Sequence, residues 1–230
     1  MFNQIQELRR LIMSKVKFLP CLFCMSLILG CASNSPKHFE KKLARLDKRG
    51  IVLATVSSEN KLDKTDMLLP GAFMIRKNGE TKEKEYGLYA SNHFRVCSED
   101  KKSCLIVLEV NKGDYFISSI KGAVMGDFTL PVFEALVRRH FQADINEIIY
   151  IGNIHMILRK KTSDSEASAG DSFVPTRIID QMAIAGTTID VKVNDEYERD
   201  INEFENAFPN LKKYTVIRKI LSPGPISHAD

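Results

Sequence analysis

The 230-residue sequence has no apolar run long enough to cross a membrane as a helix. Its one extended apolar run, Phe18 to Gly30, is 13 residues long, broken by Pro20 and softened by Cys21, Cys24 and Ser26. A spanning helix needs roughly 20 apolar residues. The chain also lacks a strong excess of one charge, with 33 basic residues against 29 acidic ones. That balance gives no electrostatic footprint for nucleic acid. Catalytic signatures are missing too. There is no G-x-S-x-G elbow to expose a strained serine, no P-loop and no dinucleotide fingerprint. S-x-x-K occurs at Ser58/Lys61, Ser98/Lys101 and Ser118/Lys121, none in a helical pattern and none followed by K-T-G. Three such hits in a chain rich in both residues measure the background of the motif. His38, His93, His140, His155 and His228 are scattered without helical ligand spacing, so no metal site is expected. His155 lies in an apolar run and reads as a satisfied core histidine. No cofactor, internal repeat or carboxylate pair suited to glycoside chemistry is indicated.

What the short run does offer is an address. Its length, with Lys15 and Lys17 ahead of it, fits the apolar region of a secretory signal, and translation from Met13 would give ordinary signal proportions. The run ends Ile28-Leu29-Gly30-Cys31. This resembles the bacterial lipobox, with an aliphatic residue at −3, a small one at −1 and then cysteine. The resemblance implies cleavage between Gly30 and Cys31 and a diacylglycerol thioether on the Cys31 sulfur. A further acyl chain would occupy the freed amine. Two or three chains at about 0.8 kcal/mol per buried methylene make such an anchor effectively permanent. Ala32 stands at +2, where Asp would signal inner-membrane retention, so the outer membrane is the implied destination. An ordinary signal peptide that happens to contain a cysteine is the competing reading. Removal of residues 1–30 leaves 29 basic and 28 acidic residues.

Cysteine usage agrees with an envelope address. Cys21 and Cys24 fall in the signal and Cys31 is the lipid site. Cys97 and Cys104 remain, in "CSEDKKSC". Six polar residues between extended segments describe a hairpin whose mouth a disulfide would close in an oxidising compartment. A thiol pair for a metal is the rival, without a nearby ligand set of suitable spacing.

The mature chain divides by composition. Residues 31–50 form a lipidated tether and a short basic helix. Ser35 suits its N-cap, Pro36 its first position and Gly50 its stop, and Phe39, Leu43 and Leu46 make a narrow apolar stripe. From Ile51, short apolar or alternating runs bounded by Gly, Asn, Asp and Lys clusters predict antiparallel sheets over 51–222. "LPVFEALVRRHF" is ambiguous between helix and strand, and its β-branched content favours strand. In "IIYIGNIHMIL", strict alternation puts Ile148, Tyr150, Gly152, Ile154, Met156 and Leu158 on one face of a strand buried on both sides. Residues 160–172 read as an exposed polar loop, and "TTIDVKVND" as a strand alternating Ile189, Val191 and Val193. The clearest helix spans 195–208, with a D-x-x-E cap from Asp195 and Glu198 and a face of Tyr197, Ile201, Phe204 and Phe208. "KKYTVIRKIL" returns as a strand, and 223–230 is a tail.

Two stretches, "GDYFI" at 113–117 and "FQADINEIIYIG" at 141–152, together with "VNDEYERDINEFENAFPNL", resemble a family of bacterial envelope lipoproteins with a transthyretin-like β-sandwich, mostly without assigned activity. The likeness covers roughly residues 105–215, and Asn146 stands where that family usually has a turn glycine. It implies a mainly β chain: an antiparallel transthyretin-like (prealbumin-like) sandwich with one C-terminal amphipathic helix and a short N-terminal one. Tyr115, Tyr150 and Gly152 of these motifs read as core residues and a bulge or close contact rather than ligand-binding groups.

The expectation is a lipid-anchored, non-catalytic envelope lipoprotein. It would bind or scaffold an envelope protein partner on the periplasmic face of the outer membrane, held by the chains on Cys31. The alternative is an envelope hydrolase acting on cell-wall or glycan material.

Overall fold

A computed structural model describes residue 43 and residues 46–63, 67–88, 93–99, 102–125, 132–170 and 186–223. The expected signal peptide, with Gly30 and Cys31, the expected tether and residues 224–230 of the tail lie outside the described residues. So do His38 and His228.

The described chain builds two sheets. The first takes β1 (Gly50–Asn60), β4 (His93–Cys97), β5 (Ser103–Val110), β8 (Ile148–Lys160), β9 (Thr187–Asn194) and β10 (Val216–Arg218). Its order is β10-β8-β1-β5-β4, with β9 also on β8. The second sheet takes β2 (Met67–Lys77), β3 (Lys84–Gly87), β6 (Gly113–Met125), β7 (Val132–Ala143) and β11 (Ser222–Pro223), in the order β11-β7-β6-β2-β3. The segment that was ambiguous in sequence is therefore the strand β7. Pairing is antiparallel except that β8 runs parallel to both β1 and β10. The described residues are mainly β, two sheets face to face, with the α-helix described below.

Alternation explains the layers. Val52, Ala54 and Val56 of β1 point into the core between the sheets, where they meet Phe73, Ile75, Ile117, Phe133 and Val137. Ile51 and Leu53 point the other way, yet they too are buried. They belong to a second core on the outer face of the first sheet, with Leu105, Val107, Ile148 and Tyr150 beneath Phe204, Phe208, Leu211 and Leu43. A sheet covered on both faces requires nearly continuous apolar strands, as "IVLATV" and "IIYIG" are. Each side chain of this size that leaves water contributes about 1.5–3 kcal/mol.

The cover is α1 (Tyr197–Ala207) and the 3-10 turn Pro209–Lys213 that follows it. Tyr197 and Ile201 pack beside Phe204 and Phe208, as the spacing predicts. The expected cap is not made. Glu196 occupies the N-cap without a side-chain bond; Asp195, one residue upstream, accepts from the Tyr197 N–H at 3.4 Å through Oδ1 and from Arg218 on β10 through Oδ2. Helix and sheet are pinned instead by Asp200, which is fully buried. It accepts from the Tyr150 hydroxyl at 2.5 Å and from Arg199 at 2.8 Å. Burial first, and then that carboxylate, holds the Tyr150 hydroxyl far above its ordinary range. Leu43, the described part of the basic segment, sits 1% exposed in this second core. Its carbonyl accepts from the Tyr214 hydroxyl, and Leu46–Lys48 is a 3-10 turn. Gly50 opens β1 rather than closing a helix.

One side of the sandwich is closed by chain that touches both sheets. Ala169, buried in the loop 161–170, donates to Thr187 and accepts from Glu134, linking β9 to β7. Arg159 holds the same loop through Asp190 and Glu166. Its guanidinium and the Thr162 donors keep the Glu166 carboxyl down at about 2. The C-terminal segment pairs with β8 through Val216–Arg218, then crosses to pair with β7 through Ser222 and Pro223. That is shorter in the first sheet than the apolar pattern of 212–221 suggested. No helix of the described residues is long and apolar enough to cross a membrane.

Candidate functional site

The outer face of the first sheet is not covered evenly, and one residue decides where its character changes. The register between β1 and β8 slips after Leu53, where Leu53 faces Tyr150 and Thr55 faces Asn153. β8 therefore holds an extra residue, a β-bulge centred on Gly152, whose φ is +114°. A bulge breaks period-2 alternation. Before it, Ile149 and Ile151 face the sandwich core; after it, Ile154, Met156 and Leu158 do. The face sharing expected from strict alternation is thus corrected at this point. Gly152 also marks where β8 changes partner, from β10 over 148–150 to β9 over 153–160.

The bulge turns Asn153 and His155 outward, beside Thr55, Ser57 and Glu59 of β1, whose inward partners are Ala54 and Val56. Across the strands the register builds two polar rows. One reads Asn194, Asn153, Thr55; the next reads Lys192, His155, Ser57, Ser103. Within them Ser57 Oγ lies 2.8 Å from Asn153 Oδ1 and 2.9 Å from His155 Nδ1. His155 Nε2 lies 3.9 Å from Glu59 Oε2, with the His155 side chain 27% exposed. His155 is thus half-exposed and partnered by polar groups, not the core histidine the sequence suggested. Among the described residues, neither Thr55 Oγ1 nor Asn153 Nδ2 has a hydrogen-bond partner, although both are buried. An unpaired buried donor costs about 1–3 kcal/mol, so two adjacent ones call for a reason.

Ser57 has one proton and two acceptors within reach, and the protonation of His155 chooses between them. In the neutral ring, Glu59 favours the proton on Nε2, leaving Nδ1 to accept from Ser57. In the imidazolium, Nδ1–H donates to Ser57, which in turn donates to Asn153 Oδ1. The array can therefore take a proton from a serine oxygen and return it.

The residues singled out in the sequence are placed as follows. Cys97 and Cys104 are opposite each other on β4 and β5 and form a disulfide, with Cα atoms 3.9 Å apart. It faces the sandwich core, and Cys104 is 1% exposed. Tyr115 and Tyr150 are buried core residues. The three S-x-x-K serines each donate to a backbone carbonyl, those of Leu68, Ser103 and Met74. His140 packs its ring at a tilt against Phe116 on the second sheet. Among the described residues no group of three or more His, Cys, Asp or Glu side chains could hold a metal ion. Sequence reading missed Ser57, Asn153 and Thr55. The available signal was Thr55, Ser57 and Glu59 at period 2, polar where Ile51 and Leu53 had been apolar.

Compared with known proteins, the chain matches no family model, no curated protein and no solved structure.

Proposed function

We propose that the chain is a lipid-anchored lipoprotein of the bacterial envelope. It is tethered through Cys31 to the periplasmic face of the outer membrane, and its sandwich serves as a binding or scaffolding module for an envelope partner. The observation that carries this reading is the Cys97–Cys104 bridge. A disulfide between opposed strands persists where thiols are oxidised, outside the cytoplasm, and the lipobox-like Ile28–Cys31 supplies the route there. The described sandwich begins at Gly50, leaving residues 32–49 between it and the anchor. Membership of the transthyretin-like lipoprotein family belongs to the same proposal, supported by the buried Tyr115 and Tyr150 and by Asn146 at φ +63°, the left-handed geometry its turn demands.

Metabolic labelling with an alkyne fatty acid tests the address. Wild type takes up label and Cys31→Ser does not; equal labelling of the two would remove the anchor. A second reading, an envelope hydrolase, is favoured by the Ser57–His155–Glu59 array.

A further inference from the structure

Four features bear on the outer face of the first sheet. Ser57 is half-exposed, its oxygen is in hydrogen-bond contact with an imidazole nitrogen, and a carboxylate stands at the opposite nitrogen. Beside it is an amide nitrogen, Asn153 Nδ2, buried and without a partner among the described residues. A structural serine–histidine contact would need neither the carboxylate nor the orphaned donor. Acyl transfer needs both: a base held in one tautomer, and a spare N–H where negative charge develops.

We propose that Ser57, His155 and Asn153 form an acyl-transfer site that hydrolyses carboxylic esters of hydrophilic alcohols. The assignment rests on the hydrolase reading and names its substrate class and residues. Ser57 Oγ attacks the ester carbonyl carbon and its proton passes to His155 Nδ1. The carbonyl oxygen, now carrying the negative charge, accepts from Asn153 Nδ2. Collapse breaks the bond to the alcohol oxygen, which leaves with the proton from Nδ1. Water then attacks the acyl-serine, giving its proton to Nδ1. Release of the carboxylic acid returns that proton to Ser57 Oγ. Ester and water become acid and alcohol, and nothing is oxidised or reduced. Glu59, with its carboxylate 3.9 Å from Nε2, is a positioning residue whose charge favours the Nε2 tautomer. The hydrophilic alcohol follows from the row through the nucleophile, where Lys192 and Ser103 lie on either side of His155 and Ser57.

The test is covalent trapping of the full-length protein in detergent with a fluorophosphonate, which loses fluoride as the serine oxygen attacks phosphorus. Peptide mass spectrometry locates the adduct. Ser57 is expected to carry it, and Ser57→Ala to lose it. His155→Gln should slow labelling by about 100-fold or more, and Asn153→Ala by about 100-fold. Glu59→Gln should lower the maximal labelling rate without moving the half-saturating probe concentration. An intact Cys97–Cys104 bridge and an unchanged far-ultraviolet spectrum establish that each variant is folded. An adduct on a different serine overturns the site and leaves the hydrolase reading standing. No adduct on any serine overturns both. Equal labelling of wild type and His155→Gln overturns the role of the base.

Discussion

Replacing Gly152 by alanine tests the element on which the candidate site depends. At φ +114° an L-residue is strained whatever space surrounds it, a penalty of about 1–3 kcal/mol. Space is also short. A Cβ there would stand 3.1 Å from Val193 Cγ1 and 3.2 Å from the Asn194 carbonyl oxygen. The first can yield slightly, but the second is backbone in the strand paired to β8, so crowding adds about 1–3 kcal/mol. Together these predict a loss of about 2–6 kcal/mol. At 2–4 °C per kcal/mol for a chain of this size, the midpoint should fall by roughly 4–24 °C. Thermal melting followed by far-ultraviolet circular dichroism measures it. Gly79→Ala is the control: its φ is +84° but nothing lies within 4 Å, so only the backbone penalty of about 1–2 kcal/mol applies. If Gly152→Ala melted with wild type, or if Gly79→Ala cost as much, the bulge would not be the constraint described. Escape from the strain by removal of the bulge would turn Asn153 and His155 inward, and Ser57 labelling would disappear with it.

Three further outcomes follow from other parts of the fold. The double variant Cys97→Ala, Cys104→Ala opens a loop with sequence separation 7. By loop-closure entropy it should lose about 2–3 kcal/mol in urea titration, with wild type under reductant behaving alike. Tyr150→Phe takes from buried Asp200 the hydroxyl it accepts from and should cost about 1–3 kcal/mol at neutral pH. Tyr150 and Tyr115 both titrate above their ordinary value in the fold, Tyr115 at about 12 chiefly through burial. The stability they contribute is complete below about pH 10 and is lost as pH rises beyond it, so Tyr150→Phe should flatten the alkaline limb of the stability curve. Glu166, held down at about 2 by Arg159 and Thr162, gives the opposite sign. Its contribution is present above about pH 4.5 and is lost as pH falls toward 2. Hydrogen exchange at Ala169 should accelerate across that window, and Glu166→Gln should show the faster exchange already at neutral pH.

The strands and the helix were legible because their cause is local. Ile189, Val191 and Val193 alternate, and Tyr197, Ile201, Phe204 and Phe208 recur at helical spacing, so each face declares its own burial. The Cys97–Cys104 pairing was legible because a hairpin joins residues close in sequence. Three things were not local. The Gly152 bulge shifts the alternation by one, and only the partner strand reveals that Tyr150 and Ile154 face opposite ways. The helix starts one residue later than the capping box implied, with Asp195 accepting from the Tyr197 N–H through one oxygen and from Arg218, 23 residues away, through the other. The contact between Ser57 and His155 spans 98 residues and exists only because β1 and β8 lie side by side. Glu59 and Asn153 become informative only once that pairing is known.

The parallel pairing of β1 with β8 also sets the order in which the molecule can be completed. Hairpins such as β4–β5 and β6–β7 close short loops and can form early. The central pair must bring together segments about 100 residues apart, and that entropy is lost before any contact repays it. The Ser57–His155 array is therefore among the last features to assemble. A chain halted before β8 would carry a serine with no base, so any reactivity at Ser57 would report that folding had finished.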